Sequence, residues 1–333
     1  MSSAPTAEET WRDATWLAQA VDPRAGLVRF VQLSPEDYRR ESFLDDRILG
    51  QGRDAHLIQW ANVSSPTDAR SDARWIFHIG HVGSTLISRL LGELADVLAV
   101  REPRALRDLT FFPPEARAQF IPGIRALMSR TFGEGEVAIV KATSMVSQIA
   151  AELAGSAGRA LFLFASPRVY IETILSGDQS PSEFQTLATY YAERARAQNI
   201  ELGSNSPAEV AALVWACEMT ALEDAAGELG DGALWQDFDA FLAAPAAALS
   251  DIAAFFALTA HESQIHDVAA GPLMTRYSKA PEYEFGPDAR SQRLGEAARR
   301  YSEAIDAALA MLRRAAEKAP LLQRALDRSN PDC

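Results

Sequence analysis

The run HIGHVGST, His78 to Thr85, sets two glycines, a histidine and two hydroxyls between an apolar stretch and a helix-forming one. Glycines at 80 and 83 permit backbone angles that turn several N–H groups toward one point, and the start of the following helix adds unsatisfied donors and partial positive charge. Ser84 and Thr85 can donate to the same anion, so phosphate binding is the chemistry this spacing suggests. A strand–glycine turn–helix is equally an ordinary connection in many folds. A magnesium–nucleotide loop reads G-x-x-x-x-G-K-[ST]. Here Ser84 follows Gly83 directly, and the lysine that reaches the outer phosphates is missing. His81 is the nearest group able to supply positive charge, since an adjacent dianion favours the protonated imidazole. His78 and His81 can also be read as turn histidines with satisfied nitrogens, and Arg89, one turn into the helix, as a surface or packing arginine.

The elements that must hold this loop follow from the patterning. Apolar runs at 75–79, 97–100, 136–141, 159–165 and 233–237 read as strands. Helical stretches at 85–94, 143–155, 183–196, 207–227, 246–257 and 293–316 separate or follow them. Strands alternating with helices predict a three-layer α/β sandwich with a mostly parallel central sheet over residues 73–330. Residues 1–72 read as an accessory region packed on that core. Within it, DATWLAQAVD suggests a short helix, GLVRFVQL a strand, PEDYRRESFLDDRIL a helix or ordered loop, and 62–72 a polar connector. Thirty-two basic against 45 acidic residues leave a net charge of -13, which argues against a broad nucleic-acid face. No basic leader and no apolar run of about 20 residues is present, so no integral membrane association is expected and a cytoplasmic setting is the default. Two cysteines, 217 and 333, make no disulfide framework, and Cys217 reads as a core filler.

HVGSTL, after its strand, resembles the loop [KR]-S-G-[TS]-T of the sulfotransferases that use 3'-phosphoadenosine 5'-phosphosulfate (PAPS). Gly83, Ser84 and Thr85 fit, while His81 stands where that family usually has lysine or arginine. Three further stretches carry the resemblance. LFLFASPRVYIETILSG supplies Arg168 and Ser176, about two helical turns apart, where the family binds the nucleotide 3'-phosphate. Arginine suits that role through its rigid fork, although a surface arginine after a Ser-Pro helix start is an equal reading. VLAVREPRALRDL places Glu102 where the members that sulfate tyrosines carry a general base. A salt bridge is the competing use of Glu102, and Arg101 and Arg104 nearby would lower its pKa. His78 is a spare base candidate. Lys141, ending EVAIVK, resembles the strand-end lysine beside the sulfuryl group.

Near the C-terminus GPLMTRYSKAPEYEF offers Arg276 and Lys279 as phosphate contacts, with Tyr277 and Tyr283 beside them, or else an ordinary surface loop. Trp235 is a donor-pocket candidate, and Asp237 a turn cap. The resemblance covers roughly residues 73–290. It implies a P-loop-like sulfotransferase fold and transfer of a sulfuryl group from PAPS to a hydroxyl or amine, leaving 3'-phosphoadenosine 5'-phosphate (PAP), with no metal required. Gly80, His81, Val82, Gly83, Ser84 and Thr85 would hold the 5'-phosphate, Glu102 would take the acceptor proton, and Lys141 with His81 would stabilise the departing oxygen. The acceptor would be a small molecule or peptide, and a homo-oligomer is compatible with the chain. Two rivals stay open at this point: a P-loop kinase-like transferase with Asp237 as metal ligand, and a non-catalytic nucleotide-binding protein.

Overall fold

A computed structural model describes residues 3–63, 66, 68–177, 180–276 and 286–329. Its centre is a five-stranded sheet in the order β5-β6-β4-β7-β8, formed by β4 (Arg74–His78), β5 (Val97–Arg101), β6 (Val137–Lys141), β7 (Arg159–Phe164) and β8 (Ala233–Asp237). Every neighbouring pair is parallel. The near-continuous apolar character of β4, β6 and β7 is what a sheet covered on both faces demands, and Ile76, Phe77, Ile139, Val140, Leu161 and Phe162 have no exposed surface. Helices cover both faces, giving the expected three-layer α/β architecture. Because the strands are parallel, His78, Arg101, Lys141, Phe164 and Asp237 all end at one edge of the sheet. Ligands of open parallel sheets bind at that edge.

Residues before β4 build a second sheet, three-stranded and antiparallel, with β1 (Trp16–Asp22), β2 (Leu27–Gln32) and β3 (Ala55–Gln59) in that order. The expected helix over DATWLAQAVD is therefore a strand. Six consecutive β1 residues, Trp16 to Val21, are buried, and a short run apolar on all sides has no period that separates strand from helix. Pairing decides it: β1 forms an antiparallel hairpin with β2, and the Val21 N–H donates to the distant Asp108 at 3.1 Å.

Two buried arginines bolt this layer to the core. Arg130 donates to the carbonyls of Thr10, Asp13 (2.8 Å) and Trp16 (2.7 Å). Arg101 donates to those of Tyr38, Arg39 (3.2 Å) and Glu41 (2.9 Å), the last turn and cap of the helix Pro35–Arg40. Burial pushes their pKa values down, to about 10 and about 9, so both remain cations at neutral pH. A cation facing the carbonyls that end a helix is favourable twice over, by hydrogen bonding and by the helix dipole.

Two further expectations are corrected. The helix at 293–316 is two, Pro287–Arg300 and Ser302–Ala316, broken where Tyr301 adopts φ -118° and ψ 20°. The helical reading of 143–155 opens instead as a tight 3₁₀ turn, Ser144–Ile149, before Ala150–Ala154. Cys217 is buried in the long helix Pro207–Leu229. Beside it, Glu218 is fully buried and takes Arg194 (2.5 Å), the Tyr191 hydroxyl (2.9 Å) and Ser147 as partners. Among the described residues no helix is long and apolar enough to cross a membrane.

Candidate active site

The loop that leaves β4 turns by left-handed backbone: Gly80 has φ +89°, His81 φ +55° and Gly83 φ +65°. Gly83 is the N-cap of the helix Ser84–Gly92 and places no side chain over its start, so the helix presents N–H groups of the kind that take an anion. A Cβ on Gly83 would lie 1.9 Å from the Phe238 ring. Glycine is thus required there by dihedral angle and by close approach. Val82 is buried and anchors the turn through its side chain, while Ser84 and Thr85 are buried beneath it.

Two side chains fix the entry to the turn. The Gly80 N–H donates to His78 Nδ1 at 3.0 Å, and His78 Nε2 lies 2.9 Å from the Ala142 carbonyl. That pair of contacts selects the neutral tautomer protonated on Nε2. His78 is a turn-holding residue, which removes it as the spare base. On the other side Tyr170, buried in the helix Pro167–Ser176, donates its hydroxyl to the Ile79 carbonyl at 3.2 Å. Burial, with Glu218 behind it, raises the Tyr170 pKa well above the ordinary phenol value, so the hydroxyl keeps its proton.

Lys141 and Glu102 meet beside this loop. β6 pairs with both β4 and β5, so Lys141 lies in register with Ile76 on one side and Arg101 on the other. Its ammonium donates to Glu102 Oε1 and to Thr85 Oγ1, the latter at 3.2 Å. Lys141 has no exposed surface, whereas the Glu102 side chain keeps 14%, so an incoming group reaches the carboxylate first. Glu102 also holds a left-handed backbone, φ +53°, while its N–H bonds the Lys141 carbonyl at 2.7 Å. Among the described residues five non-glycines have positive φ, and two of them are His81, in the glycine turn, and Glu102, the partner of Lys141. Such conformations cost about 1–3 kcal/mol each and gather at functional sites.

Neither Arg101 nor Arg104, the cations beside Glu102 in the sequence, is its partner; the salt bridge open to Glu102 is made with Lys141. Arg101 instead donates to the carbonyls that end the Pro35–Arg40 helix. Arg104 pairs with Asp46 (2.5 Å) and Asp108 (3.0 Å).

The remaining candidates spread out. Arg168 is half exposed in the first turn of its helix and pairs with Asp306 at 2.6 Å and more loosely with Glu172 at 3.9 Å. Ser176, at the end of that helix, donates to the Thr173 carbonyl at 2.8 Å. Trp235 packs edge-on to Phe162 and Phe164, with the Arg328 guanidinium 4.1 Å from its ring. These contacts pack the ring against β7. Asp237 caps the helix Phe238–Ala243 by accepting the Ala240 N–H at 2.9 Å, the turn-cap role expected of it. Arg276 is exposed just beyond the turn Pro272–Thr275. Lys279, Tyr277 and Tyr283 lie outside the described residues.

Sequence reasoning missed Phe238, whose ring closes over Gly83, and Arg290, which stacks 5.3 Å from that ring and pairs with Asp239 at 2.5 Å. It also missed Tyr170 as the prop of the turn. The aromatic immediately after the cap Asp237 was the one available signal for the first; nothing local marks the other two. Among the described residues no cluster of three or more His, Cys, Asp or Glu has the arrangement of a metal site.

The chain matches no family model and no curated protein. Among solved structures it is similar to the sulfotransferase domain of the curacin biosynthetic pathway, at 14% identity and a TM-score of 0.42 over 69% of this chain and 97% of that one. It is also similar to a sulfotransferase from Alicyclobacillus acidocaldarius, with 15% identity, a TM-score of 0.37 and coverage of 71% and 96%. A third is the sulfotransferase domain of the Synechococcus PCC 7002 olefin synthase, with 15% identity, a TM-score of 0.38 and coverage of 72% and 98%.

Proposed function

We propose that this protein transfers a sulfuryl group from PAPS to a hydroxyl or amine acceptor. The observation that carries the reading is the meeting of Lys141, Glu102 and Thr85 at the mouth of a glycine turn that opens a helix. The turn supplies N–H donors for a phosphate, Thr85 ties it to a buried cation, and that cation holds a carboxylate on the side open to solvent.

In this reading Gly83, Ser84 and Thr85 hold the 5'-phosphate end of the donor, with His81 above them. Glu102 takes the acceptor proton as the nucleophilic oxygen or nitrogen bonds to sulfur. The bond from sulfur to the bridging phosphate oxygen breaks, and its electron pair leaves on that oxygen. Lys141, already 3.2 Å from the Thr85 hydroxyl, offsets the charge gathering there. Fixed donors aimed at a departing oxygen contribute through preorganisation, because they need no reorientation during the reaction. Arg168 takes the 3'-phosphate by exchanging Asp306, a surface partner, for a dianion.

Calorimetry with PAP tests the donor. Tight binding, with AMP at least tenfold weaker, is expected. Absence of PAP binding, equal affinity for AMP, or a magnesium-dependent preference for ATP overturns it.

A further inference from the structure

An open cavity of about 430 Å³ lies beside the edge strand β5, between the helix Pro35–Arg40 of the N-terminal layer and the last turn of Ser84–Gly92. Three arginines, Arg39, Arg89 and Arg101, line it together with Gly92, Glu93 and Glu136. It sits at the far end of the helix that starts at the glycine turn, a length of about 13 Å for nine residues.

Arg101 is the unusual member. It is 2% exposed, and its partners are the carbonyls of Tyr38, Arg39 and Glu41, reached through Nη2 and Nε. Among the described residues Nη1 has no hydrogen-bond partner. A Cβ on Gly92 would stand 3.8 Å from Nη1, which places that nitrogen beside Gly92 on the cavity wall. Arg130, the other buried arginine between the layers, differs: all three of its nitrogens donate to carbonyls. Among the described residues no carboxylate comes within ion-pair distance of Arg101, and Glu93 and Glu41 act on it from further off. Burial, with the Arg89 guanidinium beside it, pushes its pKa down to about 9. A buried cation short of a counter-charge and of an acceptor is the state an anion relieves.

The charges around the cavity settle its sign. Glu136 is spent on the N–H groups of Phe132 and Gly133, at 2.8 and 3.2 Å. Glu93 is exposed and, with the carbonyl end of its helix, opposes an anion. Arg39 is held only loosely, 3.9 Å from Glu36 with both side chains well exposed. Arg89 is fixed by the Arg40 carbonyl at 3.2 Å and by Ser42 Oγ at 2.7 Å. Three guanidinia against one exposed carboxylate leave the wall positive, and the planar fork of arginine matches an oxyanion.

We infer that this cavity is a second anion site, where Arg101 Nη1 and Arg89, assisted by Arg39, take a tetrahedral phosphate, free or as the end of a monoester. The inference does not depend on the sulfuryl-transfer reading. Arg101 and Arg89 also hold the carbonyls of residues 38–41, so a bound anion strengthens the attachment of the N-terminal layer and raises the melting temperature.

The test is calorimetry of the full chain with inorganic phosphate and with phenyl phosphate. Ionic strength is held constant with chloride, and PAP is added to saturation so that the glycine turn is occupied. Inorganic phosphate is expected to bind and to raise the melting temperature. Arg101→Gln should weaken it at least about tenfold and Arg89→Gln at least about fivefold, with Arg101→Lys, which keeps the charge and loses the fork, between Arg101→Gln and the parent. Glu93→Gln should strengthen it about threefold, a gain that a damaged fold does not produce, so the site stays testable even if Arg101→Gln fails to fold. Phenyl phosphate bound as tightly as phosphate assigns the site to a monoester end, and binding at least about tenfold weaker assigns it to the free ion. No binding of phosphate, unchanged affinity in folded Arg101→Gln or Arg89→Gln, or weaker binding in Glu93→Gln overturns the inference. Failure of PAP to bind, with the Arg101 and Arg89 dependence intact, removes the donor reading and leaves this anion site standing.

Discussion

The Lys141 ammonium lies against Glu102 Oε1 while also reaching the Thr85 hydroxyl at 3.2 Å, so one buried cation joins the candidate base to the candidate phosphate loop. Removing one partner of such a pair leaves the other buried without its counter-charge, which costs about 3–5 kcal/mol in fully buried cases. Glu102 is partly exposed, and a cost of about 2 kcal/mol is expected for Glu102→Gln in urea unfolding. Glu102→Gln with Lys141→Met should recover part of that loss, because the uncompensated charge is gone. Turnover should fall by about 100-fold or more in Glu102→Gln, with PAP affinity within twofold. Full turnover by folded Glu102→Gln would assign the base elsewhere.

Gly83→Ala combines two costs. The left-handed angle alone disfavours a Cβ by about 1–2 kcal/mol, and the added atom would stand 1.9 Å from the Phe238 ring. PAP affinity is expected to drop at least tenfold with a lowered melting temperature. Adding Phe238→Ala should restore part of the stability, since it removes the clash and leaves the backbone strain. If Gly83→Ala alone binds PAP like the parent, the turn does not hold the phosphate.

Arg168 is paired with Asp306, both about half exposed, and such pairs contribute about 0–1 kcal/mol. A 3'-phosphate, offering more charge and several acceptors, displaces a partner held that loosely. Arg168→Ala should weaken PAP at least tenfold more than AMP. Asp306→Asn should strengthen PAP about threefold and leave AMP unchanged, an effect that shrinks as salt screens the pair. Equal weakening of PAP and AMP by Arg168→Ala takes Arg168 out of the nucleotide contact.

How much of this was legible in the chain depends on how local the cause was. The parallel strands announced themselves because burial on both faces makes each a short apolar run, and HIGHVGST marked its own turn through its glycines. Lys141 and Glu102 were named singly, but their contact arises from β5 and β6 lying side by side, and register between strands separated by a helix leaves no trace in either segment. Trp16–Asp22 is a second case: it pairs with the neighbouring β2, but its contacts with Asp108 and Arg130 come from far along the chain. Phe238 and Arg290 carry no motif; only the approach of the Phe238 ring to Gly83, and of Arg290 to that ring, marks them.

Tyr170 offers the clearest separation of support from contact. Its hydroxyl holds the Ile79 carbonyl at the entry to the turn, and the ring is wholly buried. Tyr170→Phe removes the donor and leaves that carbonyl short of a partner, a loss of about 1–3 kcal/mol. If the bond positions the turn, PAP affinity should fall several-fold, and Glu218→Gln, one step further back, should change it less. The proton on this hydroxyl gives the pH dependence its sign. The folded pKa is raised above the value of about 10 in an unfolded chain, so the protonated form is favoured by folding. Its contribution is fully present below about pH 10 and is lost only as pH climbs through the raised value. PAP affinity should therefore show no Tyr170 titration between pH 8 and about 10, and Tyr170→Phe should lower affinity equally across that interval. A Tyr170-dependent fall in affinity centred below pH 10 would mean that this hydroxyl ionises in the folded protein and is not the fixed donor its geometry describes.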